Sequence, residues 1–153
     1  MGIWRLCRLK FVDQAFHGIG AKLYGGRWNE PGLPVVYTAS SLSLAMVETF
    51  VHLDDDLIPD DYVAIAADVP SEMALTRLNV ADLPPDWRNY PPPDTLKQIG
   101  SEWLRSKTSA VLAVPSVVIP QEENYLLNPE HISFSRVIIH PAVPFQFDPR
   151  MWK

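Results

Sequence analysis

At 153 residues, with 47% hydrophobic and 20% charged residues, the chain fits one domain with a proper core. A net charge of −5 and a pI near 5.2 argue against bulk binding to a phosphate backbone. The lone Cys7 excludes an internal disulfide framework and cysteine-based zinc sites, no metal-ligand set stands out, and no apolar run is long enough for a bilayer. Arg5, Arg8 and Lys10 interrupt the apolar opening, so no signal peptide is expected and the cytoplasm is the simplest compartment.

The charge is uneven. Residues 1–28 carry five cations against Asp13, a net of +4, and residues 48–86 carry ten acids against Arg77, a net of −9. The basic opening suits a small phosphorylated ligand and the acidic middle a basic partner, with plain solvated surface as the alternative for both. Fifteen prolines against seven glycines predict short elements joined by stiff loops.

Ile3–Leu9 alternates and is apolar-rich, which predicts a strand. Arg5 and Arg8 fall on opposite faces of it, so at least one is covered and wants an anion. Phe16–Asn29 holds Gly18, Gly20, Gly25 and Gly26, with Lys22, Tyr24, Arg27 and Trp28 between them. Glycines before Arg27 make a turn that can aim a guanidinium, whose planar donors suit a pyrophosphate. It is neither a P-loop nor a Rossmann fingerprint. Pro34–Thr38 predicts a short strand, and Ser40 or Ser41 caps a helix to about Leu53. That helix is apolar nearly all round and is expected to be buried. Glu48 is its only formal charge, and a buried acid needs a partner or a cavity.

A strand over Tyr62–Val69 follows the acidic loop Asp54–Asp61. Residues 70–93 predict an irregular, stiff connection with Pro84-Pro85 and Pro91-Pro92-Pro93 around Trp87, a lid or docking rim without assignable chemistry. Asp94 is expected to cap a helix to about Lys107. Val111–Val114 is the pattern of a strand buried on both faces. Pro115 and Pro120 interrupt its continuation through Val117–Ile119, which fits a sheet edge, a bulge or a cleft lip better than a central strand. Ser116 sits at that irregular point, and Glu122, Asn124 and Asn128 follow in a loop expected to be pinned by side-chain to backbone bonds. Phe134–His140 predicts a last strand, and the aromatic-proline tail is expected to wrap the sheet edge.

Gly-Gly-Arg27-Trp-Asn, Tyr37 on a strand, Glu48 in an apolar helix and Val-Pro-Ser116-Val-Val-Ile-Pro-Gln-Glu122-Glu-Asn-Tyr-Leu-Leu-Asn-Pro stand in this order, and the whole resembles the RES-domain family. The resemblance implies an α+β fold over 1–153, a single compact domain with an ADP-ribosyltransferase-like split mixed sheet and flanking helices. It implies the toxin of a bacterial toxin–antitoxin pair, degrading NAD+ by hydrolysis or phosphorolysis at the nicotinamide–ribose bond. NAD+ is then the substrate, and no cofactor is required. The partner implied is an Xre-type helix-turn-helix antitoxin, with a homodimer within the complex left open and no direct contact to nucleic acid or membrane. Carried over are Arg27, Glu48 and Ser116 as catalytic residues and Arg27, Tyr37, Ser116 and, at lower rank, Arg5 as substrate-binding ones. In those roles Arg27 clamps the pyrophosphate, Glu48 addresses the ribose, Tyr37 orients the nicotinamide, and Ser116 bonds nicotinamide or ribose. The alternatives are a protein ADP-ribosyltransferase and a catalytically silent module that binds the antitoxin.

Overall fold

The computed structural model describes residues 1–54 and 57–152. In chain order come β1 (Gly2–Arg8), α1 (Ile19–Tyr24), β2 (Val36–Ala39), α2 (Leu42–Phe50), β3 (Tyr62–Asp68), β4 (Leu75–Arg77), α3 (Asp94–Ser106), β5 (Val111–Pro115), β6 (Glu123–Leu127), β7 (Ile138–Ile139) and β8 (Val143–Phe145). Among the described residues the strands form one sheet in the order β4-β5-β6-β2-β1-β3-β7, with β8 also on β3. Only β4 and β5 run parallel; the other pairs are antiparallel, so the fold is α+β with a mixed sheet.

The sheet is split. β1 pairs with β3 along its whole length, from Gly2↔Asp68 to Arg8↔Tyr62, and β2 pairs with β6 from Val36↔Leu127 to Ala39↔Asn124. Between these halves the register records a single pair, Trp4↔Ala39. Where β1 and β2 part, the Arg5 guanidinium donates from Nη1 to the Tyr37 carbonyl at 2.8 Å. A side chain thus satisfies a backbone acceptor of the kind a continuous ladder would serve.

One sheet face carries Ile3, Cys7, Val63, Ile65, Val111 and Leu127, covered by Phe16, Val137 and the turn after β1. The other face holds two separate clusters. One lies under α2, with Leu6, Ala39, Leu44 and Ala45, and is closed by the tail: Phe147 is edge-on to Tyr62, Phe145 and Trp152. The other lies under α3 and unites Trp28, Trp87, Leu96, Trp103, Leu112 and Leu126. The candidate residues sit between the two.

Several sequence expectations need correction. β5 is flanked on both sides, by β4 and β6, so it is an inner strand with all five residues buried and not a sheet edge. Pro115 is tolerated because it ends the ladder, and Val117–Ile119 does not resume a strand. The helix from Ser41 stops at Phe50 and is half-buried, with only Leu44 and Ala45 fully covered. Its N-cap is as expected, Ser41 Oγ accepting the Leu44 N–H at 3.0 Å. α3 starts after Pro93, and Asp94 lies in its first turn without capping it. The connection 70–93 contains β4, the glycine-rich stretch contains α1, and the expected last strand shrinks to β7 behind a 3-10 turn at Ile132–Arg136.

Candidate active site

Glu48 comes from α2 and reaches the lip of β5. Its Oε1 accepts from Ser116 Oγ at 2.6 Å and from Asn124 Nδ2 at 2.8 Å. No protein donor reaches its Oε2 among the described residues, and that oxygen is not sealed from solvent. Ser116 is fully buried. Its oxygen accepts the backbone N–H groups of Val118 at 3.2 Å and Ile119 at 3.0 Å. Two lone pairs spent in this way leave one proton, and it points at Glu48. The direct contact expected between Ser116 and substrate therefore does not fit the geometry: a buried, saturated hydroxyl positions the carboxylate instead.

Arg27 approaches from the loop after α1. Gly25 adopts φ of 73°, where a side chain is strained, and Gly26 lies so close to Tyr37 that a Cβ there would meet the phenol oxygen at 2.7 Å. Arg27 Nη1 donates to the carbonyls of Trp87 and Asn89, both at 3.0 Å. Burial lowers its pKa from the ordinary arginine value, and the Glu48 carboxylate is the strongest of the charges opposing that shift. The ion remains protonated, within electrostatic reach of Glu48.

Tyr37 stands on β2 between them. Its hydroxyl donates to Asn29 Oδ1 at 2.6 Å and accepts the Trp28 N–H at 3.1 Å. Burial raises the phenol far above its ordinary value, so it stays neutral. With the hydroxyl engaged, only the ring is available to a ligand. Asn29 is fully buried, and its amide serves the carbonyls of Ala21, Glu30 and Leu33.

The structure thus brings Arg27, Tyr37, Glu48 and Ser116 to one region of one sheet face. Arg5 does not join them. It shares a strand face with Ile3 and Cys7, which belong to the core cluster on the other side of the sheet, and no carboxylate pairs with it among the described residues. Its Nε is buried without a partner, and burial lowers its pKa. Arg8, by contrast, pairs with Asp61 at 2.8 Å on the surface. Asn29 carries no role of its own in the sequence, and Asn124, expected to pin a loop through backbone bonds, instead donates to Glu48 from β6. An asparagine beside a lone acid two elements away leaves no local spacing to find. Trp87, at the centre of the stretch expected to be a lid or docking rim, is a core residue at 6% exposure. Asp55 and Asp56 of the acidic loop lie outside the described residues. A groove of about 360 Å³ lies on the opposite face, lined by Phe16, His17, Ile65, Phe134 and His140 among others, and contains none of the four clustered residues.

A family model described as the RES domain matches residues 3–148. The chain belongs to the RES-domain family. Similar proteins include "Toxin Res" of Photorhabdus laumondii subsp. laumondii, 45% identical over 139 residues, 90% of this chain and 88% of that relative. "Toxin Res" of Yersinia enterocolitica is 39% identical and covers 99% of both chains. The "Prs ADP-ribosylating toxin" of a Sphingobium species is 40% identical over 88% of this RES chain and 84% of its own length. In fold the RES chain resembles the solved M. tuberculosis MbcT-MbcA toxin-antitoxin complex, with a TM-score of 0.74 at 18% identity, over 99% of this chain and 86% of that one. The α+β fold with a split mixed sheet and flanking helices is the one expected from the sequence. Among the described residues no helix is long and apolar enough to cross a membrane.

Proposed function

We propose that this RES domain is the toxin of a toxin–antitoxin pair and destroys NAD+ in the bacterial cytoplasm by cleaving its nicotinamide–ribose bond. The observation that carries the reading is the Glu48 carboxylate: one oxygen is locked by Ser116 and Asn124, the other is open, and Arg27 is close enough to act on it electrostatically.

In NAD+ the bond from ribose C1′ to the nicotinamide nitrogen breaks with its electron pair going to the pyridinium, which leaves neutral. A paired-carboxylate acid of the glycosidase kind is therefore not required. The barrier lies in the oxocarbenium-like ribose. Glu48 Oε2 accepts the ribose hydroxyls and opposes the developing positive charge, and Arg27 fixes the pyrophosphate. Tyr37 offers its ring to the nicotinamide. Water or phosphate then adds at C1′ and releases a proton, giving ADP-ribose or its 1-phosphate.

Purified protein free of any partner is incubated with NAD+, with and without phosphate, and the products are resolved. Nicotinamide release that disappears in Glu48→Gln supports the assignment, and undiminished release in that variant overturns it. The Prs ADP-ribosylating relative favours a second reading, transfer of ADP-ribose to a protein. Retention of label from adenylate-labelled NAD+ on a protein band would select it. The toxin–antitoxin complex among the fold relatives supports an antitoxin partner, for which we propose the Xre helix-turn-helix type.

A further inference from the structure

The Pro-rich connection over residues 84–93 has no part in the chemistry so far, yet it is tied to the site at three points. Trp87 is buried in the α3 cluster. Arg88 Nε donates to the Val117 carbonyl at 3.0 Å, next to Ser116. The carbonyls of Trp87 and Asn89 both accept from Arg27 Nη1. The segment is therefore a strap joining the Gly-Gly-Arg27 loop to the Ser116 loop.

The strap also decides which part of Arg27 is available. A guanidinium has five N–H groups, and the two on Nη1 are taken by strap carbonyls. Nε and Nη2 have no protein acceptor among the described residues and are not sealed from solvent. Their shared edge is one of the two-donor edges that grip a phosphate bidentately. Immediately after Asn89, whose carbonyl holds Arg27 Nη1, comes Tyr90, 79% exposed. An aromatic ring of this size left in solvent beside an oriented phosphate fork is a stacking surface without a ring on it.

We propose that Tyr90 is the platform for the adenine of NAD+, with the pyrophosphate on the Arg27 fork between it and Glu48. This rests on the NAD+ reading above. The adenine end follows from the layout: Glu48, assigned to the nicotinamide ribose, comes from the α2 cluster, whereas the strap belongs to the α3 cluster on the other side of the site. Stacking on a tyrosine suits an uncharged purine.

The test measures ADP-ribose and ADP binding by calorimetry, and turnover of NAD+ and of nicotinamide mononucleotide, in wild type, Tyr90→Ala and Tyr90→Phe. Tyr90→Ala is expected to weaken ADP-ribose and ADP about tenfold or more, and to raise KM for NAD+ by a similar factor with kcat near wild type. Tyr90→Phe keeps both, and the mononucleotide, lacking adenine, is indifferent. Because Tyr90 is exposed, neither change threatens the fold. Unchanged ADP-ribose affinity in Tyr90→Ala overturns the proposal, as does failure of the wild type to bind ADP-ribose. Loss of mononucleotide turnover in Tyr90→Ala also overturns it, placing the ring at the nicotinamide end. If no variant cleaves NAD+ but ADP-ribose affinity still depends on Tyr90, the cleavage reading falls and the adenine platform stands. If NAD+ is cleaved with unchanged KM in Tyr90→Ala, the platform falls and cleavage stands.

Discussion

The hydrogen-bond count at Glu48 separates residues that touch a substrate from those that hold the residue that does. Ser116 has one proton and gives it to Glu48 Oε1, and Asn124 gives an amide proton to the same oxygen. The amide orientation is forced, because the reverse would set oxygen against carboxylate. It leaves Asn124 Oδ1 buried without a donor, at a cost of about 1–3 kcal/mol. Ser116→Ala and Asn124→Ala should each lower kcat for nicotinamide release, on the order of 100-fold if Glu48 swings by an ångström, with little change in KM. Asn124→Asp replaces that donor with a second acid beside Glu48, so nicotinamide release should fall at least as far as in Asn124→Ala. Release equal to wild type in that variant would show that the Asn124 amide does not hold Glu48. Arg27, Glu48 and Ser116 stand out because each is an odd residue in a patterned stretch, an acid in an apolar helix above all, whereas Tyr37 comes only with the family resemblance. Asn124 does not, because it lies on β6 whereas the stretch after Ser116 reads as a loop, where asparagine most often bonds backbone. Asn128 does so, donating to the Leu104 carbonyl and accepting the Glu130 N–H. Strand alternation puts at least one of Arg5 and Arg8 on a covered face, but only the split sheet shows that it is Arg5, that its partner is a carbonyl and that the face is the one away from the site.

Among the elements, those with a long enough pattern were readable: β1, β3, β5 and α3 by periodicity, α2 by its serine cap. β4 and β7 have three and two residues, and pairing across the sheet makes them strands. α1 has six residues and no apolar stripe to announce it. What positions α3 was invisible for a different reason. Gly100 lies inside that helix, where glycine weakens a helix relative to alanine. A Cβ there would stand 1.7 Å from the Trp28 carbonyl oxygen, so the missing side chain lets α3 press on the backbone of the Arg27 loop. Gly100→Ala, stabilising in an open helix, should here cost about 1–3 kcal/mol or more and lower the melting temperature by several degrees. It should also weaken ADP-ribose binding, because Trp28 follows Arg27 directly. A neutral or raised melting temperature in thermal unfolding would show that α3 is not seated on that loop.

At the scale of the whole molecule, the two sheet halves meet at one ladder pair and the candidate site lies over that seam, so its geometry depends on packing on both faces. The buried phenols report on this together. Tyr37 lies beside the α3 cluster, Tyr62 beside the α2 cluster and Tyr125 in the opposite core, and burial raises all three above the ordinary 10.0. Burial likewise raises the Cys7 thiol from 9.0. The folded chain therefore holds protons that the unfolded chain releases. Their contribution to stability is complete below about pH 8, and it is lost as pH climbs through the unfolded values, the thiol's first, toward the raised ones. Burial lowers Arg5 and Arg27 from 12.5, so what they cost the fold is relieved only as pH rises through their lowered values. Urea midpoints should thus be flat in this respect from pH 7 to 8 and fall as the phenols ionise above 10. Tyr37→Phe separates the largest contributor. It leaves Asn29 Oδ1 without its donor, so the variant is less stable at neutral pH by about 1–3 kcal/mol. With no phenol to ionise at that position, its midpoint should fall less steeply above pH 10, and the two curves converge. Parallel curves would mean that the Tyr37 hydroxyl is open to water, and with it the seam on which Arg27 and Glu48 are set.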